Sequence, residues 1–388
     1  MVDDEERQAR LALACVIEPG DLRLKGLLAR FEPAEVWASL TRAGADNAWG
    51  RRARALDVRT VELLARKHGL RFIVPGDDEW PPQLAVLAAC EPVQESGGAP
   101  IGLWVRGERS LAGVTASAVA LVGSRASTAY GDRVSADLGA ALAAEGVTVV
   151  SGGAYGIDAA AHRGAIAENG PTVAVLAGGL DEFYPRAHAN LLGEVASYGA
   201  VVSEVPPGEH PTRKRFLVRN RLIAALAAGT VVVEAGVRSG ARNTVTWANA
   251  CGRVVMAVPG PIGNPTSYTP HRLIREGEAV LVTGLADVME VVGPVGESQP
   301  IKPSQPRLLD LLSDSQRAVY EALPSRGSRA TGDLSLRAGL TVRDTLVALN
   351  GLCDAGLAGA ADDGGWRLGR IQDRPVPSSQ QEGGGGDG

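Results

Sequence analysis

Residues 118–131, AVALVGSRASTAYG, decide the fold. A short apolar run over 119–122 breaks into Gly123-Ser124-Arg125. A helical pattern follows, with Val134, Leu138 and Leu142 at i, i+4 and i+8. A buried parallel strand hands over to a helix in this way in an open α/β sheet. Glycine lets the chain turn sharply and lets a ligand approach the backbone. The start of a helix carries unpaired N–H groups and partial positive charge. Arg125 adds a planar cation beside them, and the combination suits a phosphate group.

Outward from this stretch, strand and helix patterns alternate over 118–292. Strands are expected at 119–122, 147–150, 172–176, 200–203, 230–234, 254–258 and 279–282. Continuous Val/Ile/Leu strands separated by helices imply a Rossmann-like parallel sheet covered on both faces. Residues 1–75 read as a small helical module of the SAM or helix-hairpin-helix kind, punctuated by Pro19-Gly20 and Glu32-Pro33. Residues 76–117 read as a connector with a short strand at 101–105. Residues 293–309 read as a proline-rich linker. Over 310–370, helices are expected from Ser313, from Thr331 and after the cap Thr341. A hairpin around 362–365 follows, giving a winged-helix-like C-terminal domain. Its expected recognition helix carries Arg343 but also Asp344 and Asp354, and the domain is near neutral, which favours a protein partner over DNA. Residues 371–388 read as a disordered tail.

Composition narrows the classes. The 388 residues are 45% hydrophobic and 21% charged, as in an ordinary soluble protein. No apolar run is long enough to cross a bilayer, and the acidic N-terminus lacks a signal-peptide core, so a cytoplasmic location and no membrane partner are expected. Cys15, Cys90, Cys251 and Cys353 show no CxxC spacing and fit reduced, mostly buried thiols. The five histidines form no HxxxH or HExxH pattern, so no metal is expected, and nothing calls for a cofactor. No GxxxxGK[ST] loop exists, and GxGxxG is missing after the first strand of the alternating region. The net charge of −5 argues against a uniformly basic nucleic-acid binder but leaves room for a local basic site.

Three features could carry function. The first is a row of Gly/Ser turns, each after a strand: Gly123-Ser124-Arg125, Ser151-Gly152-Gly153-Ala154-Tyr155-Gly156, Ala177-Gly178-Gly179 and Ser239-Gly240-Ala241. In a parallel sheet these turns line one rim and can hold successive phosphates. Glycine used for turn geometry alone is the competing reading of each. The second is residues 211–221, PTRKRFLVRNR, with five basic side chains, no acidic one and a single ring. Cations tracking a backbone beside a ring that stacks a base match a single-strand site. The plainer reading is a solvated basic turn with Phe216 in the core. The third is Glu234, which closes a strand at the rim. It is a base or ribose ligand, or it pairs with a nearby arginine, and the structural pairing is favoured. Asp158 and Asp181 follow glycine turns and either cap helices or orient loops.

Together these motifs resemble the DNA-processing protein A (DprA, or Smf) family. The matching segments are GSRASTAYG at 123–131, SGGAYGIDAAAH at 151–162, GGLDEFYP at 178–185, SEVPPG at 203–208, FLVRNRLIAAL at 216–226, VVEAGVRSGARNT at 232–244 and PGPIGNP at 259–265. The resemblance implies a Rossmann-like core that binds single-stranded DNA without catalysis, protects incoming strands in natural transformation and loads the RecA recombinase. It also implies a homodimer. The DNA-facing positions it implies are Gly123, Ser124, Arg125, Ser151, Gly152, Gly153, Tyr155, Arg213, Lys214, Arg215, Phe216, Arg219, Asn220, Ser239, Gly240, Asn243 and Thr244. Tyr155 stands where many relatives carry arginine, and which of Arg213, Lys214 and Arg215 makes the principal contact is open. The alternative is a Rossmann-fold enzyme resembling nucleoside-monophosphate phosphoribohydrolases, motivated by Glu234 beside a Gly/Ser loop. The PGGxGT signature of those enzymes is absent.

Overall fold

The computed structural model describes residues 2–42, 47–293 and 311–369. The described residues up to 293 belong to one compact unit and those from 311 on to a second. The expected linker from residue 294 on, and the tail over 371–388, lie outside the described residues.

The first unit is built on a nine-stranded sheet: β1 Arg71–Ile73, β2 Leu103–Arg106, β3 Ala118–Val122, β4 Thr148–Ser151, β5 Thr172–Val175, β6 Ala200–Ser203, β7 Gly229–Val232, β8 Val254–Ala257 and β9 Val280–Leu281. Its order is β1-β2-β6-β5-β4-β3-β7-β8-β9. From β6 to β9 every pairing is parallel, with Val119 opposite Val149 on one side and Gly229 on the other. β3, β4, β5, β6 and β7 are buried at every position, which is why their sequences are apolar runs rather than alternations. Helices cover both faces. Ile223, Val245 and Trp247 belong to one cluster, and Leu138, Leu142 and Ala161 to the other.

The parallel expectation for 118–292 holds, and two strands from before it are added. β1 and β2 extend the sheet antiparallel, with Trp104 opposite Ser203 and Phe72 opposite Trp104. The short strand expected in the connector is β2, which lies inside the sheet between β1 and β6, and the stretch read as wholly helical ends in the edge strand β1. Three residues, Arg71–Ile73, are too few to show a period.

Helices Asp4–Val16, Leu22–Leu28, Pro33–Thr41, Ala48–Ala55 and Val58–Lys67 precede the sheet. Asp3, Asp21, Asn47 and Asp57 cap four of them. Leu13, Val16, Leu24, Val36 and Leu40 form their own core, while Leu11, Ala65 and Leu70 pack with Trp104, Leu176 and Val201 of the sheet layer. The helices are thus fixed to the sheet through apolar contact. Cys90 and Cys251 are buried with sulfurs 3.3 Å apart, and Cys15 and Cys353 are half-buried; all four are free thiols. Burial pushes the Cys251 thiol up to about 12.

The second unit has helices Asp314–Ala322, Thr331–Ala338 and Val342–Asp354, then β10 Ala358–Ala360 and β11 Trp366–Leu368 paired antiparallel. Ser313 and Gln316 form a capping box at the first helix, and Thr341 caps the third. Val319, Leu334, Leu349 and Leu352 form the core. Among the described residues no helix is long and apolar enough to cross a membrane.

Candidate nucleic-acid interface

The order β4-β3-β7-β8 places the point where the sheet's winding reverses between β3 and β7. Ligands of open α/β sheets bind outside the carboxyl ends of the strands at such a point. A groove of about 790 Å³ lies there. It brings together Gly123, Ser124, Arg125, Arg213, Phe216, Arg219, Asn220, Ser239, Gly240 and Thr244 of the expected set, with Arg238 added from the loop after β7. Ser151, Gly152, Gly153, Tyr155, Lys214, Arg215 and Asn243 are not on its lining.

The centre of the groove is a cation over a ring. The Arg125 guanidinium sits 4.7 Å from the centroid of half-buried Phe216. Arg125 itself is exposed. Cation–π contact fixes both side chains without removing the arginine's five donors from solvent.

The loop that presents Arg125 is held from beneath. The Ser124 amide donates to the Glu234 carbonyl at 2.6 Å, and the Ile157 amide donates to the Ser124 carbonyl at 3.2 Å. Gly156 has φ of 75°, and any side chain there would strike the Ser124 carbonyl. The turns after β3, β4 and β7 are therefore locked to one another.

Glu234 departs from the favoured expectation of an arginine pair. It is 1% exposed and accepts from the Thr128 amide at 2.9 Å and the Thr128 hydroxyl at 2.7 Å. Its carboxylate lies at the N-terminus of helix Ala129–Ala144, against Gly131. This also corrects the reading of that helix start as a phosphate cradle. The helix begins at Ala129, not directly after Arg125, and the chain's own carboxylate fills its positive end.

The basic segment is the start of helix Arg213–Leu226, with Thr212 accepting the Arg215 amide, and not the solvated turn of the plainer reading. The helix is exposed at its first turn and buried from Val218 on, so its later cations are enclosed. Arg221 is fully buried and pairs with Glu204 through two 2.6 Å hydrogen bonds. Arg219 is 6% exposed and donates to the Gly152 carbonyl at 2.8 Å and to the Val175 carbonyl. Burial pulls its pKa down to about 10, against the pull of Asp158. Arg215 donates to Glu18 at 2.8 and 2.9 Å and to Glu209 at 3.0 Å, so it ties the N-terminal helices to this one. Its hydrogen bonds hold the Glu18 carboxyl below the usual range. Asn220 donates to Asn243, which donates to Gln94. Arg213 and Lys214 remain exposed in a first turn that has no acidic residue. Cations at the positive end of a helix are unfavourable, and a bound anion relieves that cost.

The β4 turn is closed at Ser151, Gly152 and Gly153 and meets the groove at Ala154. Ser151 is buried and donates to the Leu121 carbonyl at 2.6 Å. Asp158 accepts the Gly152 and Ala154 amides at 3.2 and 3.4 Å, and burial raises its pKa. Ala154 and Gly156 are half-buried, and Tyr155 is 48% exposed with its ring against His188. The β5 turn is covered: Gly178 and Gly179 lie under the segment 206–211. Asp181 orients that segment by accepting the Gly208 amide at 2.8 Å. The loop after β7 stays open, with Arg238 and Gly240 exposed; helix Ala241–Ala250 begins there, and the Ser239 hydroxyl accepts the Ala241 amide at 3.3 Å. Arg238 escaped the expected set although it stands in the quoted RSG loop. Among the described residues no group of His, Cys, Asp and Glu is placed to hold a metal ion.

Residues 71–293 match the model of a family described as DNA recombination-mediator protein A. A Mycobacterium tuberculosis relative carried under the name DprA is 46% identical over 377 residues, 95% of each chain. Protein Smf of Escherichia coli is 43% identical over 56% of each chain. The solved structure of DNA processing protein A from Streptococcus pneumoniae is 31% identical with a TM-score of 0.61, covering 75% of this chain and 98% of that one.

Proposed function

The chain belongs to the DNA recombination-mediator protein A family, and on that footing we propose that it binds single-stranded DNA in the β3/β7 groove, without catalysis, and passes the strand to a RecA-type recombinase. The names of its relatives, which refer to DNA processing, agree with this reading. The observation that carries it is the Arg125 guanidinium over the Phe216 ring, flanked by exposed Arg213 and Arg238. Cations follow a phosphate backbone, and a ring accepts any unpaired base. A duplex keeps its bases stacked and offers such a ring nothing.

Glu234 supports the non-catalytic reading, because both its carboxylate oxygens are engaged by Thr128. A cytoplasmic homodimer is the form in which we expect it to act. The second unit reads as a protein-docking element, since Leu336, Val342 and Val347 are exposed on its helices at 82%, 51% and 67%.

A gel-shift comparison of single- and double-stranded DNA, with and without RecA, tests this. The expected result is a shift of single strands at far lower protein concentration than duplex, with RecA filaments forming sooner when the protein is present. Equal affinity for both forms contradicts the reading, as does release of free base from nucleoside monophosphates.

A further inference from the structure

One exposed ring near the groove is left over. Tyr184 is 53% exposed, and its ring centroid lies 6.0 Å from that of Phe216, tilted by 58°. It stands after β5, two strands away from β3 in the sheet order. Its segment is pinned on both sides. Phe183 is buried in the sheet-layer core, with the Arg106 guanidinium 4.7 Å over its ring, and Asp181 accepts the Gly208 amide. The chain thus fixes one aromatic neighbour inward and holds the next one out. The nearby acids are already paired: Glu182 with Arg186, and Glu209 with Arg215.

Resting on the single-strand reading above, we infer that Tyr184 and Phe216 are consecutive steps of one base-stacking ledge, which carries the strand from the β3/β7 groove towards the carboxyl end of β5. The rings are too close to hold one base between them, since two stacking contacts at about 3.5 Å each need about 7 Å. Their tilt lets each ring take its own base. Such stacking tolerates any sequence, because every base has a π-face.

The test is fluorescence anisotropy on oligothymidine and on a wholly abasic strand of the same length, with folding of each variant checked by thermal melting. Tyr184→Leu removes the ring and keeps apolar bulk. It is expected to weaken oligothymidine binding by about 5- to 100-fold. Its salt dependence should stay that of the parent, because no charge is lost. Tyr184→Phe should restore binding, and the abasic strand should bind parent and Tyr184→Leu alike. Parent-like oligothymidine binding by Tyr184→Leu, beside a weakened Phe216→Leu, overturns the ledge and leaves the groove reading standing. An equal loss on the abasic strand also overturns it. If Arg125→Gln, Phe216→Leu and Tyr184→Leu all bind as the parent does, the groove reading itself fails.

Discussion

The Arg125 guanidinium and the Phe216 ring lie 4.7 Å apart, although 91 residues separate them in the chain. One comes from the turn after β3, the other from the first helical turns after Thr212. Their contact depends on how the turns after β3, β4 and β7 are locked beneath the surface and on how the helix carrying Phe216 is anchored to the segment after β6.

Glu204 and Arg221 are both buried and joined by two hydrogen bonds. Glu204→Gln leaves the guanidinium uncompensated and is expected to cost about 3–5 kcal/mol of stability. Replacing both residues with apolar ones of similar volume should recover most of that loss. Denaturant midpoints check both; a single variant as stable as the parent would contradict the pairing.

Gly131 gives way to the Glu234 carboxylate, and a methyl group there would overlap it. Gly131→Ala is expected to cost about 1–3 kcal/mol by overpacking and to shift the β3 turn. Thermal melting reads the first effect, and weaker single-strand binding by an otherwise folded variant reads the second.

His162 supplies the pH dependence. Thr172 donates its hydroxyl proton to the Val149 carbonyl, so the His162 Nδ1–H donates to Thr172 at 2.7 Å and Nε2 is left without a partner. Burial, with His188 and Arg219 adding to it, pulls the ring down to about 3 from an ordinary 6.5. Between these values the unfolded chain binds a proton that the folded chain does not. Stability is therefore complete above the ordinary value and falls as pH drops through the window. Denaturant titrations at about pH 7.5 and pH 5.5 should show this fall in the parent and a smaller one in His162→Gln. Identical falls would contradict a buried neutral ring.

The sheet was largely legible because its strands are buried on both faces and end in glycine turns, as at Val122-Gly123 and Ser151-Gly152. β1 was harder, being an edge strand of three residues, and the short strand expected at 101–105 gave no sign that β2 would pair antiparallel with β6. In the site, the groove's wall at Arg125, Arg213 and Phe216 could be read from residue type. The fates of Arg215, Arg219 and Arg221 could not. Their partners Glu18, Glu204 and the Gly152 carbonyl lie 197, 17 and 67 residues away, and composition shows a cation without showing what neutralises it. The structural role of Glu234 is legible but its partner is not, since Thr128 is 106 residues distant.

The most direct measurement is the salt dependence of oligothymidine binding by the parent and by a variant carrying Arg125→Glu and Arg213→Glu. If these two cations lie along the phosphate backbone, the variant binds far more weakly and the slope of log affinity against log salt falls by about 1.4, from two lost contacts at about 0.7 each. Parent-like affinity with an unchanged slope would contradict the account.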